Sequence, residues 1–529
     1  MLSSCYVIRQ KFDVGRDARR ENVANEITEK RALLTYDLIV GDETMELQNK
    51  ATSLWGNFFK VNMVQIRTFH MTWFAFFACF FAWFGIAPLM IVVREELGLT
   101  KSQVGWTIIA SVAVTVFARF FIGWLCDRIG PRYAYSGLLI LAAFPVAGIG
   151  LANDFTSFLL FRLAIGVIGA SFVITQYHTT VMFAPNVVGT ANATSAGWGN
   201  LGGGVTQIVM PLIFSGFVIG FNFTDAAAWR ASMMVVGAVI FLIGIAYFFL
   251  TQDAPDGNYK DLRVRGEMTQ KDKVTGLYFK AMADYRAWFL FIIYGACFGV
   301  ELLINGSLAL YLVDYFGYFK DMPLTEAAVT AGLIASLFGL MNIFARTLGG
   351  IFGDNFASLW GLRGRTTWLF ITLLGEGFAL MLFSQMPILV LAIPTLIIFS
   401  LFTQMSEGAT YSVVPFINKK ALGAIAGMVG AGGNVGAVLG GFLLKSESYN
   451  SRWDEAYLLI GMIVTGVAFL ALFIRFSPEK EAEEKALFEA ANMEVVKRRA
   501  DEANAALVNS VKIIEEYNKT HDDKINVKS

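Results

Sequence analysis

The stretch FARFFIGWLCDRIGPR, residues 117–132, has a counterpart later in the chain, FARTLGGIFGDN, residues 344–355. Both copies begin Phe-Ala-Arg, and in both a glycine follows the arginine by four positions and an aspartate follows it by eight. The shared arginines are Arg119 and Arg346, and the shared aspartates are Asp127 and Asp354. Because each copy lies in a long apolar run, the repeat indicates two related halves that each place one arginine inside a membrane-spanning helix.

The composition is typical of a polytopic membrane protein. Hydrophobic residues make up 56% of the 529 positions, charged residues only 16%, and the mean hydropathy is +0.55, well outside the balance of soluble domains. A net charge of zero, with no basic stretch interleaved with aromatics, argues against a nucleic-acid surface. The four cysteines show no CxxC pair or metal-ligand spacing, so we expect no metal and no cofactor.

Twelve apolar runs are long enough to cross a bilayer, which takes about 20 residues. Six precede and six follow a polar stretch from Thr251 to Arg286. The sequence therefore predicts an all-α membrane protein of twelve transmembrane helices in two pseudo-symmetric six-helix bundles. The runs cover 70–92, 104–125, 133–152, 156–184, 191–219, 229–250, 287–313, 325–352, 366–384, 386–414, 421–444 and 455–475.

The layout divides the chain into five predicted regions. They are a cytosolic segment at 1–66, a bundle at 67–250, a cytosolic linker at 251–286, a second bundle at 287–476 and a charged helical tail at 477–529. With both termini inside, the cytosolic loops carry thirteen Lys and Arg against six outside, as the positive-inside rule requires. The N-terminus lacks the order of a signal peptide. We expect a multi-pass protein of the plasma membrane, or the inner membrane if bacterial, with cytosolic termini.

A second repeat joins the fifth and eleventh runs. Gly-Asn-Leu-Gly at 199–202 matches Gly-Asn-Val-Gly at 433–436, and Tyr177 matches Tyr411 at the same spacing. Two parallel six-helix halves with a site near the membrane midplane are the arrangement of the major facilitator superfamily.

The two arginines indicate an anion. An arginine at the centre of a span costs at least about 2.5–3.5 kcal/mol, so it is expected to face the bundle interior. Two symmetric cations facing one cavity repel each other unless an anion lies between them, and the flat guanidinium fork suits planar oxyanions. The alternative is that each arginine pairs with a glutamate on another helix, for which Glu301, Glu376 and Glu407 are available.

Tyr294, Phe298 and Glu301 share one face of the seventh run by their spacing. Aromatics at this spacing are more often packing residues than ligand contacts. Glu301 differs, because a carboxylate within a span is costly and carries a proton more readily beside a desolvated cavity. Glu301 and Glu407 are therefore the candidate proton carriers.

The glycine-rich stretches of runs five and eleven are not phosphate loops, since they lack the Lys-Ser/Thr of a Walker motif and follow no strand. Most of these glycines are expected to serve close helix packing. We expect more than a packing role for Asn200 and Asn434, because a buried side-chain amide needs a hydrogen-bond partner and can donate to an anion.

Across residues 67–475 the sequence resembles the nitrate/nitrite porters of the major facilitator superfamily, and most of all the high-affinity nitrate transporters of plants, algae, fungi and some bacteria. The resemblance rests on RTFH with Trp73-Phe74, FARFFIGWLCDRIGPR, GWGNLGGGVTQ, YGACFGVEL, FGLMNIFARTLGG, EGATYSVVPF and GAGGNVGAVLGG. The two glycine-asparagine segments look like the paired nitrate signatures of that family.

The resemblance implies roles for individual residues. Arg119 and Arg346 correspond to the pair that binds the anion, Tyr294 to the tyrosine that hydrogen-bonds it, and Phe298 and Phe172 to the aromatics on either side of it. Asn200 and Asn434 lie in the two signatures. Asp127, Arg128 and Asp354, near the cytosolic helix ends, are the candidate gating residues. His178 departs from the family, where a bulkier aromatic is expected.

The resemblance implies import of nitrate, with nitrite as a second substrate, by alternating access. Proton symport is the primary hypothesis, nitrate/nitrite exchange the second, and a non-transporting nitrate sensor that signals through its tail the third. The expected partners are the anion, protons and the lipid bilayer, with an accessory subunit left open. An enzyme is not expected, because no nucleophile-base set or metal cluster is evident.

Overall fold

The computed structural model describes residues 51, 53–183, 188–266, 283–417, 422–449 and 451–482, and in the tail 485, 500, 504–505 and 507–513. Within these ranges the chain is helical, without a strand ladder. We number the twelve long helical spans α1 to α12. They are α1 (Val64–Phe84), α2 (Lys101–Ile129), α3 (Pro131–Gly148), α4 (Phe155–Ile165 and Ser171–Met182), α5 (Val188–Ser215), α6 (Asp225–Leu250), α7 (Tyr285–Tyr315), α8 (Leu324–Leu340 and Ala345–Trp360), α9 (Leu362–Ser384), α10 (Leu389–Val413), α11 (Leu422–Lys445) and α12 (Trp453–Ala468).

Eleven of these spans are long and apolar enough to cross a membrane. The twelfth, α1, has 21 residues, which at 1.5 Å per residue is also enough, although its first turns carry Gln65, Arg67 and His70. Large apolar side chains are exposed on the outer faces of the spans, as lipid contact requires. The predicted twelve-helix membrane fold is confirmed.

The first span differs from the predicted run at 70–92. Helix α1 ends at Phe84, turns follow through Pro88, and a short helix covers Met90–Glu96. Met90 to Val93 are buried inside the protein, so their apolar character reflects packing against protein and not a continuation of the span.

Two spans are broken near their centres. A 3-10 turn at Gly166–Ala170 divides α4, and one at Met341–Ile343 divides α8. The sequence predicts a single long eighth helix over 325–352, with Arg346 about 21 residues from its start. In the structure Arg346 is instead the second residue of the second segment of α8 (Ala345–Trp360). The sequence does not reveal this break, because the apolar run continues through a change of helix type that hydropathy does not detect.

Several contacts between the bundles lie on one side of the arginines. With twelve alternating spans, α1 begins and α12 ends at the same face, here called the terminal face; the opposite face is the distal face. Toward the distal face, α5 crosses α8 where Gly204 meets Gly339 so closely that neither position has room for a side chain. There Gln207 donates to the carbonyl of Asn305 at 2.9 Å.

The distal face also carries an ion pair between the bundles. Asp314 at the end of α7 accepts two bonds from Arg94 and lies 3.3 Å from the Lys101 ammonium. Nearby, the Lys445 ammonium lies 4.3 Å from the ring centroid of Trp106. These contacts close the distal face.

The regions outside the spans are described in part. The predicted linker contains a short helix at Tyr259–Val264 that buries Tyr259 and Leu262, while 267–282 lie outside the described residues. In the predicted tail, residues 507–513 are helical and exposed. Residues 1–50 also lie outside the described part.

Candidate anion site between the bundles

Arg119 reaches from α2 of the first bundle to α11 of the second. Its side chain is buried, and its Nη1 donates to the carbonyl of Gly430 at 2.8 Å. Its guanidinium carbon lies 5.4 Å from the ring centroid of Phe172, at the start of the second segment of α4 (Ser171–Met182). Nε and Nη2, which form one edge of the fork, are buried and meet no acceptor among the described residues. Such donors are costly to leave unpaired, and this edge has the geometry to bind an oxyanion in two places.

Arg346 is held differently. Its Nη2 donates to the Tyr294 hydroxyl at 2.7 Å, and its Nη1 lies 2.9 Å from Oε2 of Glu407 on α10. The Arg346 side chain is 11% exposed and that of Glu407 is fully buried. The contact is short enough for an ion pair, but its angles fall outside those of a hydrogen bond, so neither Glu407 oxygen has a donor among the described residues.

The sequence left open whether each arginine pairs with a glutamate or faces an anion cavity, and the two arginines differ in this respect. Arg346 has the glutamate partner that the alternative required, and Glu407 is the one of three candidates that supplies it. Arg119 has no carboxylate partner within the described part of the chain. Before a ligand binds, one guanidinium is neutralised and the other is not.

Tyr294 and Phe298 form a stacked pair beside Arg346. Their ring centroids are 5.1 Å apart with an interplanar angle of 18°, and Phe298 lies 5.8 Å from the Arg346 guanidinium carbon. The stack fits because α11 carries Gly433 at the point of contact, where a Cβ atom would overlap the Phe298 ring. The glycine of the second signature therefore makes room for an aromatic side chain of the site.

Tyr411 and Gly430 link the two arginines. A Cβ atom built on Gly430 would lie 3.4 Å from both Arg119 Nη1 and the Tyr411 hydroxyl, which places these two groups over the same position of α11. The Tyr411 ring meets the Tyr294 ring edge-on at 5.1 Å, and Tyr294 accepts from Arg346. Arg119 and Arg346 thus border one site through a continuous set of contacts.

The two signature asparagines are both buried. Asn434 lies one turn from Gly430 and donates to the same carbonyl as Arg119, at 3.5 Å. Asn200 is buried on α5, and its Oδ1 has no donor among the described residues. The structure therefore connects Asn434 to the arginine site and gives Asn200 no described contact with it.

Three carboxyl groups are buried in the second bundle: Glu301, Glu376 and Glu407. Glu301 accepts from Nδ2 of Asn342 at 2.8 Å, and its other oxygen has no donor among the described residues. Glu301 and Glu407 both lie near enough to Arg346 to interact with its charge. Their roles as proton carriers stay predictions.

The candidate gating residues make contacts within single bundles. Asp354 pairs with Arg365 at 2.6 Å, and Arg128 stacks over Trp124 at 4.8 Å. The side chain of Asp127 lies outside the described residues. Their roles as gating residues stay predictions.

His178 packs inside the first bundle. Its Nδ1 contacts the Tyr247 hydroxyl at 2.6 Å and its Nε2 the carbonyl of Gln252 at 2.8 Å, so both ring nitrogens are engaged where α4, α6 and the linker meet. Asp253, which follows Gln252 in the chain, accepts a hydrogen bond from the backbone N–H of Arg132 at 2.8 Å. Burial raises the pKa of the Asp253 carboxyl group. The departure from the family therefore lies in a structural cluster away from the arginines.

Sequence reasoning missed three members of the site, namely Gly430, Tyr411 and Asn342. Tyr411 was visible as the partner of Tyr177 in the second repeat, which was the available signal. Gly430 contributes a carbonyl and Asn342 lies in the 3-10 turn of α8, and neither a backbone acceptor nor a helix break can be seen in a hydropathy pattern.

Two bundles of six membrane-spanning helices, related by a repeat, are the arrangement of a membrane transporter of the major facilitator type. The sequence profile of the Major Facilitator Superfamily matches residues 72–415 and 324–512. Among solved structures, the fold is similar to a bacterial homologue of the human lysosomal transporter Spinster, with a TM-score of 0.58 at 16% identity over 78% of this chain and 99% of that one. It is also similar to the nucleoside transporter NupG, with a TM-score of 0.56 at 15% identity over 77% of this chain and 100% of that one. The relatives and the fold are those of transporters and not of enzymes.

Relatives of known name narrow the family. The chain is 40% identical to high affinity nitrate transporter 2.5 of Arabidopsis thaliana, over 79% of this chain and 81% of that protein. It is 36% identical to nitrate transporter 2.2 of Chlamydomonas reinhardtii, over 78% and 80%. It is 30% identical to the nitrate/nitrite transporter NrtP of a Picosynechococcus strain, over 78% and 93%. The chain belongs to the high-affinity nitrate transporter family of the major facilitator superfamily, and the predicted resemblance is confirmed.

Proposed function

We propose that this protein imports nitrate, and nitrite as a second substrate, by alternating access, with the anion bound between Arg119 and Arg346. The observation that carries the proposal is the buried edge of Arg119, whose Nε and Nη2 have no acceptor among the described residues. A planar oxyanion would satisfy both donors and cancel the unpaired charge. The names of the relatives support nitrate as that anion.

The anion would enter a shell of donors from both bundles. Arg119 comes from the first bundle, while Arg346 and Tyr294 come from the second. Phe172 and Phe298 each lie over one guanidinium and would cover the two faces of a flat ligand. Because the donors are divided between the bundles, an anion would favour their approach, which is what alternating access around one central site requires.

We propose proton symport because Glu407 competes with the anion for Arg346. While Glu407 is ionised, it occupies the Nη1 side of Arg346 at 2.9 Å. Protonation would remove its charge and leave Arg346 free for the anion, and Glu301, buried near the same arginine, is the second candidate proton carrier. Proton and anion would then bind together, because each makes the other's binding more favourable.

The membrane potential explains why coupling is needed. Moving a monovalent anion inward against an inside-negative potential costs about 2.3 kcal/mol per 100 mV. Two or more protons per anion reverse the sign of the transported charge. The buried Glu301 and Glu407 pair gives the protein a place to carry them.

Nitrate/nitrite exchange is the second candidate, and the unpaired Arg119 favours it. An empty site with an uncompensated buried charge would reorient slowly, so a second anion would be needed for the return step. Symport and exchange therefore differ in what drives the cycle, a proton gradient or an anion on the opposite side.

Purified protein in liposomes distinguishes the two. Labelled nitrate uptake should accelerate when the outside is acidic and the inside contains no anion substrate, and nitrate should evoke an inward positive current. If uptake instead requires internal nitrite and ignores the proton gradient, exchange replaces symport. If neither condition gives uptake, the transport proposal is wrong.

We also propose that both termini lie in the cytosol, which the loop charges favour. The distal face, with its ion pair between the bundles, would then be extracellular. A tag at the C-terminus should be reached by antibody only after cells are permeabilised, and labelling of intact cells would reverse the orientation.

A further inference from the structure

Tyr411 lies in the arginine site, and the proposed transport cycle gives its hydroxyl no role. It follows Glu407 on α10 by four positions, so both side chains share one face of the helix. Glu407 contacts Arg346, and the Tyr411 ring contacts Tyr294. Tyr411 therefore points toward the same place as the groups that would bind the anion.

The hydroxyl of Tyr411 is near Arg119, at the opposite end of the site from the hydroxyl of Tyr294. It shares the position over Gly430 with Arg119 Nη1, each lying 3.4 Å from a Cβ atom built there. Tyr294, in contrast, is bonded to Arg346. The two contacting rings thus hold two hydroxyl donors at the two ends of the site.

The present hydrogen bond of Tyr411 is weak. Its hydroxyl donates to the carbonyl of Ala426 at 3.4 Å, well beyond the usual 2.5–3.0 Å of an O–H···O bond. A phenol rotates its hydrogen at little cost, and a bond to an anionic oxygen is shorter and about twice as strong as one to a neutral acceptor. An anion in the site would therefore take this donor from Ala426.

We infer that Tyr411 donates to the third oxygen of nitrate and is thereby a determinant of preference for nitrate over nitrite. Nitrate is a flat trigonal ion with three oxygens, while nitrite is bent and has two. One oxygen can accept from Nε and Nη2 of Arg119 and a second from the donors at Arg346 and Tyr294, and Tyr411 supplies a donor for the third. Nitrite has no third oxygen for this hydroxyl, so it gains less from it. The inference rests on the proposed function, since it concerns the same site.

Tyr411→Phe tests the inference because it removes only the oxygen and keeps the ring against Tyr294. The half-saturation concentration for nitrate should rise about tenfold, the typical effect of losing one hydrogen bond to a charged group. That for nitrite should change by less than about twofold. Both are measured as labelled uptake by liposomes containing the purified variant.

Tyr177→Phe is the matched control. Tyr177 holds the equivalent place in the repeat, and its hydroxyl bonds that of Tyr259 at 3.0 Å inside the first bundle. It should leave the preference for nitrate over nitrite unchanged. To separate binding from folding, the melting temperature of the purified Tyr411→Phe protein is compared with and without each anion; the shift given by nitrate should shrink while that given by nitrite is kept.

The outcomes separate the inference from the proposed function. Equal losses for nitrate and nitrite, or no loss for either, would overturn the role of Tyr411 in discrimination while leaving transport intact. A wild-type protein that neither transports nitrate nor is stabilised by it would instead remove the proposed function itself.

Discussion

Replacing Glu407 by Gln removes the built-in competitor for Arg346 and so tests proton coupling at its source. At 2.9 Å and an effective dielectric constant of about 20, two unit charges attract by roughly 6 kcal/mol. Desolvation offsets part of this, and breaking a buried pair typically costs about 3–5 kcal/mol. We expect Glu407→Gln to lose stability in that range when no anion is present, because buried Arg346 loses the carboxylate that contacts it.

Nitrate should restore much of this loss, since it takes the place of the carboxylate. The assay is thermal unfolding of purified protein in detergent with and without saturating nitrate. The shift in melting temperature on adding nitrate should be larger for Glu407→Gln than for wild type. Uptake by the variant should also lose its acceleration at acidic pH, because there is no longer a carboxylate to neutralise.

Asn200→Ala provides a comparison that alters a buried polar group without touching the arginine pair. It should keep the wild-type pH response of uptake. If Glu407→Gln shows the wild-type nitrate shift and the wild-type pH response, competition between Glu407 and the anion is wrong. Coupling through Glu407 would then have to be abandoned.

Three other predictions follow from the contacts described. Arg119→Lys keeps the charge but loses the flat fork, so nitrate uptake should fall at least about tenfold at equal amounts of protein in the membrane; normal uptake would show that charge alone suffices. Gly433→Ala should also reduce uptake at least about tenfold, because a Cβ atom displaces the stacked phenylalanine ring, whereas Gly427→Ala, with open space around it, should transport normally; similar uptake by the two would refute the packing argument. Asp314→Asn removes the shared acceptor of the distal ion pair, a contribution of up to about 1 kcal/mol for a partly exposed pair; a cysteine at Ile109, which is buried on α2 against Gly441 of α11, should then react with a water-soluble maleimide up to about fivefold faster, and an unchanged rate would mean that the pair does not hold the distal face closed.

The fold could be predicted, and the candidate binding residues could be identified, because both leave periodic signals. Membrane spans appear as long apolar runs, and the repeat identifies Arg119 and Arg346 as equivalent positions. The free-energy cost of placing a charged side chain within a membrane span then marks these arginines as candidate functional residues among their apolar neighbours. The stacked Tyr294 and Phe298 were reached through spacing on one helix face together with the family resemblance.

Which glutamate pairs with which arginine could not be predicted. Three glutamates on three helices were equally available to each arginine, and only the packing of α8 against α10 places Glu407 beside Arg346. The asymmetry between the arginines runs against the repeat itself, since equivalent positions would be expected to have equivalent partners. Symmetry in sequence therefore located the site but concealed the difference in charge balance between its two halves.

The break in α8 was also hidden. Apolar residues continue through Met341–Ile343, so neither length nor hydropathy marks a boundary, and no proline is present to end the helix. The break nevertheless brings Asn342 to Glu301 and makes Arg346 part of a new first turn. The donors of the site thus depend on a local change of helix geometry.

The most direct test of the account is an experimental density map of the protein in nitrate, compared with one in a buffer whose anion is too large for the site. We predict a flat density in nitrate alone, within hydrogen-bonding distance of Nε and Nη2 of Arg119 and beside Arg346. Its absence there, or a nitrate bound elsewhere while Arg119 keeps the same contacts, would contradict the central claim that this buried edge of Arg119 is the anion-binding group.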